Sequence, residues 1–154
     1  MSMTVRMATS SDVETIVEFN DGLARETENK VLDLDVVRAE VERFLSEPSR
    51  GQYFLAETDG EVLGQIMITY EWSDWRNGNF WWLQSVYVAH SARGKGAFNT
   101  ILGHIRSLAE ADPCVCGIRL YVDKDNRAAQ KSYGARGFTF SNYEVMALEF
   151  ANTA

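Results

Sequence analysis

His90-Ser91-Ala92-Arg93-Gly94-Lys95-Gly96-Ala97-Phe98-Asn99 marks the junction around which this chain is organised. It follows an apolar, β-rich run, Phe80-Trp81-Trp82-Leu83-Gln84-Ser85-Val86-Tyr87-Val88. It precedes a pattern in which Phe98, Ile101, Leu102, Ile105, Leu108 and Ala109 recur at i, i+3, i+4 spacing. The pattern predicts a strand, a short glycine-containing turn and then a helix. The start of such a helix presents backbone N–H groups and the positive end of the macrodipole. Gly94 and Gly96 let the backbone approach a ligand closely, and Arg93 and Lys95 add charge. In chemical terms residues 93–99 form a phosphate cradle. The competing reading is a plain turn with two solvated basic residues. The run is not a Walker loop, which needs four residues between its first Gly and its Gly-Lys-Ser/Thr, and it lacks the third glycine of the dinucleotide fingerprint.

With Gly94 and Gly96 in the two small positions, the run resembles the Gln/Arg-x-x-Gly-x-Gly/Ala pyrophosphate loop of the GNAT superfamily of N-acetyltransferases, Ser91 standing where Gln or Arg is usual. Downstream, Asn126-Arg127-Ala128-Ala129-Gln130-Lys131-Ser132-Tyr133-Gly134-Ala135-Arg136-Gly137-Phe138 is similar to the family's Asn-x-x-Ala-x-x-x-Tyr-x-x-x-Gly-Phe signature at every named position. The flanking elements also fall in the family's order, so the resemblance spans essentially the whole chain. It looks most like the small-amine, diamine-type acetyltransferases. The resemblance implies an α/β (α+β) GNAT fold, a twisted mixed sheet of about six to seven strands flanked by about four helices.

Composition frames the rest. The chain has 154 residues, enough for one domain (1–154) with a substantial core. Hydrophobic content of 45% and charged content of 24% are those of an ordinary globular protein. No window approaches a membrane span and the start has no signal-peptide core, so a cytoplasmic protein away from membranes is expected. Cys114 and Cys116 point to one face of a strand and are expected to be buried, reduced thiols; His90 and His104 are isolated, so no metal site is expected. The formal net charge is −7. Residues 1–50 hold eleven acids against six bases, and residues 89–137 hold eight bases against four acids. That asymmetry suits an anionic cofactor in the second half and a cationic substrate elsewhere; scatter over solvated faces is the alternative. No basic stripe with interleaved aromatics points to nucleic acid.

In chain order, Thr4–Ala8 reads as a short strand. Ser11 and Glu14 suggest a capping box for a helix running toward Arg25. Asp21, Glu26 and Glu28 near its end could attract an amine or simply be solvated. Asp33 or Asp35 caps a second helix that stops before Pro48. Gln52–Glu57 and Val62–Glu71 form a hairpin on Asp59-Gly60. Trp72, Trp75, Trp81 and Trp82 cluster around a second turn at residues 76–79; one of Trp81 and Trp82 must face inward, while Trp72 and Trp75 are candidates for a homodimer interface. A strand over 117–122 follows Pro113 and runs parallel to its neighbour, since a helix makes the crossover. Asn126 caps the helix carrying Tyr133, Gly137 ends it, and the alternation from Tyr143 to Phe150 predicts a last strand.

The resemblance further implies acetyl-CoA (coenzyme A) as donor. Its pantetheine arm would pair with Val86, Tyr87 and Val88, and its pyrophosphate would rest on Arg93, Gly94, Lys95, Gly96, Ala97, Phe98 and Asn99, with Asn126, Ala129 and Tyr133 completing the grip. An N–H near Val88 would serve as oxyanion donor. Tyr133, a phenol with an unperturbed pKa of ~10, would protonate the departing thiolate. Several family members carry a Glu on the cofactor strand, and the matching position is Gln84, which accepts no proton at neutral pH. Glu71, or a water held by Gln84, Ser85 and backbone carbonyls, stands in for that base. No cysteine lies in the cofactor segments, which disfavours a covalent acetyl-enzyme. The expected activity is N-acetylation of a small primary amine, such as a polyamine or amino acid, by direct attack in a ternary complex. The alternatives are a protein N-terminal or lysine acetyltransferase, or a catalytically silent acyl-CoA sensor.

Overall fold

The computed structural model describes residues 2–151. The chain divides into two compact units, Met1–Tyr121 and Val122–Ala154. The first holds β1 (Thr4–Met7), α1 (Val13–Glu28), α2 (Leu34–Ser46), β2 (Gly51–Thr58), β3 (Glu61–Ser73), β4 (Gly78–Val88), α3 (Ala97–Ala111) and β5 (Val115–Leu120). The strands form one sheet in the order β1-β2-β3-β4-β5. Pairing is antiparallel through β4, while β5 runs parallel to β4. A parallel neighbour requires a crossover, which α3 makes.

Local chemistry accounts for the element ends. Asp59 and Gly60 turn the β2–β3 hairpin at φ 52° and 80°, the paired positive values that a two-residue hairpin favours. The capping box falls at Thr9 and Asp12 rather than at Ser11 and Glu14: the Thr9 amide donates to Asp12 Oδ2 at 2.7 Å and starts a 3₁₀ turn, Ser10–Asp12, ahead of α1. The shift follows from Arg6 on β1, whose guanidinium grips both Asp12 oxygens at 2.9 Å. Asp33 caps α2, accepting from the amides of Asp35 and Val36. On one face of the sheet, Ile16 and Val17 of α1 and Val41 and Phe44 of α2 pack with Tyr53 and Leu55 of β2. Phe54 and Ile66 face the opposite way by alternation, toward the α3 side, where Phe54 meets the His104 ring at 5.8 Å.

In the second unit, Asn126 Oδ1 accepts from the Ala129 amide at 3.0 Å and caps α4 (Arg127–Ala135). Gly137, at φ 93°, ends the helix with its amide on the Gly134 carbonyl.

Two further expectations are corrected. The sheet has five strands, not six to seven: residues 139–150 have no regular structure, and Tyr143, Val145, Met146 and Leu148 are exposed. Alternation yields a strand only where a ladder partner takes up the backbone groups, and among the described residues the sheet includes no strand from 143–150. Cys114 and Cys116 are free thiols but exposed, because Cys114 sits in the turn before β5 and Cys116 faces outward from the strand. Trp81 and Trp82 are both half-buried, on opposite faces: Trp82 stacks on Tyr121 with centroids 4.5 Å apart, and Trp81 lies against Tyr70. Trp72 and Trp75 are 61% and 91% exposed. No helix among the described residues is long and apolar enough to cross a membrane.

Candidate active site

β4 changes partners along its length. Pairing with β5 ends at Leu83↔Leu120, whereas pairing with β3 continues to Val88↔Gly64. Between the two, the register slips: Gln65 faces Tyr87 but Met67 faces Gln84, so Ser85 and Val86 together oppose Ile66 in a β-bulge. Beyond Leu83 the strand therefore has an open edge on its β5 side. The Ala89 amide donates to the Leu63 carbonyl at 2.8 Å. Amides alternate sides along an antiparallel strand, so the Val88 N–H is turned away from β3, toward the open edge.

The strand runs through a 3₁₀ turn, His90–Ala92, into Gly94 and Gly96, at φ 80° and 85°. A Cβ added at either glycine would meet nothing within 4 Å, so the turn exposes backbone over open space. Gly96 is the N-cap of α3, whose first turn carries no acidic side chain. Positive macrodipole, bare glycine backbone and exposed Lys95 suit an oxyanion group. Arg93 is committed differently. Its Nη2 pairs with Glu26 of α1 at 2.6 Å, its Nε donates to the Val88 carbonyl at 3.2 Å, and its guanidinium lies 5.4 Å from the Tyr87 ring centre. The Tyr87 hydroxyl donates to the same carboxylate at 2.5 Å. Glu26 is held below the usual carboxylate range, first by Tyr87 and then by Arg93, so it is a clamp on the loop rather than a free acid awaiting an amine. Counted from Arg93, the pattern Arg-x-x-Gly reaches Gly96, the helix cap itself, with Phe98 at the final small position.

On the α1/α2 face of the sheet, Tyr53, Met67 and Gln84 form one rung across β2, β3 and β4. Gln84 Nε2 donates to Thr69 Oγ1 at 2.6 Å. Glu71 lies four residues beyond Met67, about 13 Å along the strand. Its Oε1 pairs with Arg119 at 2.6 Å, and the Arg119 guanidinium stacks 3.7 Å over the Phe80 ring. Beside the Gln84 rung sits a polar cluster without a sequence signal beyond a lone amide in an apolar strand: Gln65, fully buried, with Asn20, Tyr53 and Ser85. Burial pushes the Tyr53 phenol up to about 12. A separate open cavity of about 350 Å³, lined by Ala39, Glu40, Arg43, Phe44 and Arg50, includes none of these groups.

Thus Gln84, Glu71 and Val86 to Asn99 belong to the first unit. Asn126, Ala129 and Tyr133 belong to the second, where Asn126 caps the helix whose next turn carries Tyr133. The Tyr133 ring meets Phe138 edge-on at 5.5 Å, and burial pushes its phenol above the ordinary tyrosine value. That phenol stays protonated at neutral pH and can act as a donor.

A crystal structure of a possible acetyltransferase from Clostridium difficile 630 superposes with a TM-score of 0.93 at 40% identity, over 99% of this chain and 100% of that one. The ribosomal-protein-alanine N-acetyltransferase of Brucella melitensis biovar Abortus 2308 shares the fold at 14% identity, with a TM-score of 0.77 over 97% of this chain and 100% of that one. The mycothiol acetyltransferase of Mycolicibacterium gilvum (strain PYR-GCK) is 36% identical over 102 residues, 60% of this chain but 31% of that protein, so the chain spans about a third of that relative's length. Residues 17–138, well over half of the sequence, match the acetyltransferase (GNAT) family, and the chain belongs to that family.

Proposed function

We propose that this acetyltransferase moves the acetyl group of acetyl-CoA onto a primary amine of a small molecule, by direct attack in a ternary complex. The observation that carries this reading is the open edge of β4 beyond Leu83, leading straight into the bare glycine turn at the start of α3. An extended amide-bearing arm with an anionic end fits such a surface: the edge of Val86, Tyr87 and Val88 offers strand addition, and residues 93–99 offer the anion cradle. When bound, acetyl-CoA supplies a thioester carbonyl and a thiolate leaving group.

The chain's own groups then have distinct tasks. The Val88 N–H, turned to the open edge, is placed to donate to a developing oxyanion. Arg93 holds the adjoining peptide through the Val88 carbonyl and so steadies the residue that carries the donor. Tyr133 gives its proton to the departing sulfur; Asn126, the N-cap of α4, and Ala129, one turn before Tyr133, set the helix that carries it. Gln84 cannot take the amine's proton, so its amide, anchored on Thr69, holds a water that does. We assign Glu71 to pass that proton on from the same sheet face, where Arg119 fixes its carboxylate through a 2.6 Å ion pair. The family name and that of the mycothiol relative support the acyl chemistry; the acid-rich first third of the sequence supports a basic acceptor. Exposed Trp72 and Trp75 support a second copy of the chain as partner.

Thiol release from acetyl-CoA, assayed with polyamines, amino acids and aminoglycosides, tests the reading. Turnover with one chemical class and not the others upholds it. Acetylation of peptide N-termini or lysines alone would move it to a protein acetyltransferase, and tight coenzyme A binding with no turnover on any amine would replace it with a sensor.

A further inference from the structure

Ser85 is strained. At φ 48° it occupies the left-handed region, which costs a non-glycine residue free energy unless its surroundings enforce it. The bulge also deprives its carbonyl of a regular ladder donor. A side chain supplies the replacement: Gln65 Nε2 donates to the Ser85 carbonyl at 3.0 Å from a fully buried position on β3.

That one bond sets the direction of the whole cluster. A backbone carbonyl can only accept, so the amide nitrogen of Gln65 must face it. The second N–H of the same nitrogen reaches Asn20 Oδ1 at 2.9 Å, and Asn20 Nδ2 then donates to the Tyr53 hydroxyl at 3.2 Å. The bulge residue is thereby tied through Gln65 to Asn20 of α1, and through Asn20 to Tyr53 of β2. The arrangement leaves Gln65 Oε1 buried with no partner among the described residues. An unsatisfied buried acceptor is costly, and an apolar side chain of the same length would avoid it. Its presence makes sense if the donor end of the amide is what the site requires.

Downstream of Ser85 lie the three residues whose backbone forms the open edge of β4. We propose that Gln65, oriented by Asn20, is a positioning residue for acetyl transfer: it holds Ser85 in its bulged conformation and so aims the Val86–Val88 edge and the Val88 N–H. The proposal rests on the acetyl-transfer reading for its chemistry, but the clamp itself can be read without any substrate.

Gln65→Met removes the donors and keeps the length, and Ser85→Gly adopts φ 48° without strain. Gln65→Met should lower kcat by roughly 10- to 100-fold, as misplacement of a reacting group does, with acceptor KM little changed. Adding Ser85→Gly should restore kcat to within roughly threefold of the parent. A merely structural Gln65 would give a lower melting temperature that Ser85→Gly does not rescue, and that result overturns the proposal. The crystal structure of Gln65→Met gives a reading independent of activity: a β4 that has lost its positive φ at residue 85 supports the clamp, and an unchanged bulge sinks it, even if the wild type acetylates nothing and the functional reading has failed. Should Gln65→Met not fold, Asn20→Ala, at a half-buried position, gives the same two readings with smaller loss.

Discussion

At the scale of single residues, two side chains carry charge or protons in ways that assays can separate. Tyr133 is assigned as the acid, and burial holds its phenol above the usual tyrosine value. A raised pKa keeps the acid form present throughout neutral and mildly alkaline conditions, so no loss of rate from its ionisation should appear below pH ~10. Tyr133→Phe should cut kcat by about 10²-fold or more while coenzyme A affinity, read by calorimetry, stays within about twofold. Equal loss of both would make the phenol a binding group. Arg93 invites the opposite kind of experiment. Its guanidinium is shared between Glu26 and the Val88 carbonyl, so the loop's strongest cation is partly neutralised before any anion arrives. Glu26→Gln frees that charge. Coenzyme A should therefore bind up to roughly fivefold more tightly in the variant, the small gain expected from an exposed pair. Weaker binding would show that Glu26 positions the loop more than it competes for it.

At the scale of elements, the junction of β1 with α1 rests on one carboxylate. Asp12 is 5% exposed and bonds to Arg6 and to the Thr9 amide; the Arg6 bonds, foremost, hold its carboxyl below the usual range against the opposing cost of burial. Because its folded pKa lies below its unfolded value near ~3.9, the stabilisation is complete above that value and disappears as pH falls through the folded pKa. Asp12→Asn should therefore cost about 2 kcal/mol in urea melts at pH 7 and progressively less as pH falls below ~3.9 toward the folded pKa, where the wild type loses the same contribution. This junction also shows where sequence reasoning stops. Helix α1 was legible from its apolar spacing, and Asp33, Asp59-Gly60, Asn126 and Gly137 were legible because each acts on amides within a few residues. The capping box slid from Ser11 to Thr9 because Arg6, on another element, captured Asp12. The Ser85 bulge and the Glu26–Arg93 pair are less local still: the latter joins positions 67 apart, and no pattern within either stretch announces it. The last strand failed for the complementary reason, since alternation records a preference for a face but supplies no ladder partner.

At the scale of the whole molecule, net charge and local charge pull an anionic ligand in opposite directions. The protein carries −7, a field that should repel coenzyme A at long range. The glycine turn, with Lys95, Arg93 and the positive end of α3, attracts it at contact distance. Salt separates the two because it screens by distance: the Debye length shrinks from about 30 Å at 0.01 M to about 8 Å at 0.15 M. The diffuse repulsion acts over tens of ångströms and is removed first, whereas contacts of about 3 Å are little affected over that range. Association of coenzyme A, followed by stopped flow, should thus hold steady or quicken between 0.01 and 0.15 M salt, and affinity should weaken only at about 0.5 M and above. A steep fall in association rate already below 0.15 M would mean that the basic second half of the sequence, and not the net charge, governs the approach. The cradle would then act as a long-range attractor for anions, and the acid-rich first third would have no part in setting how fast the donor arrives.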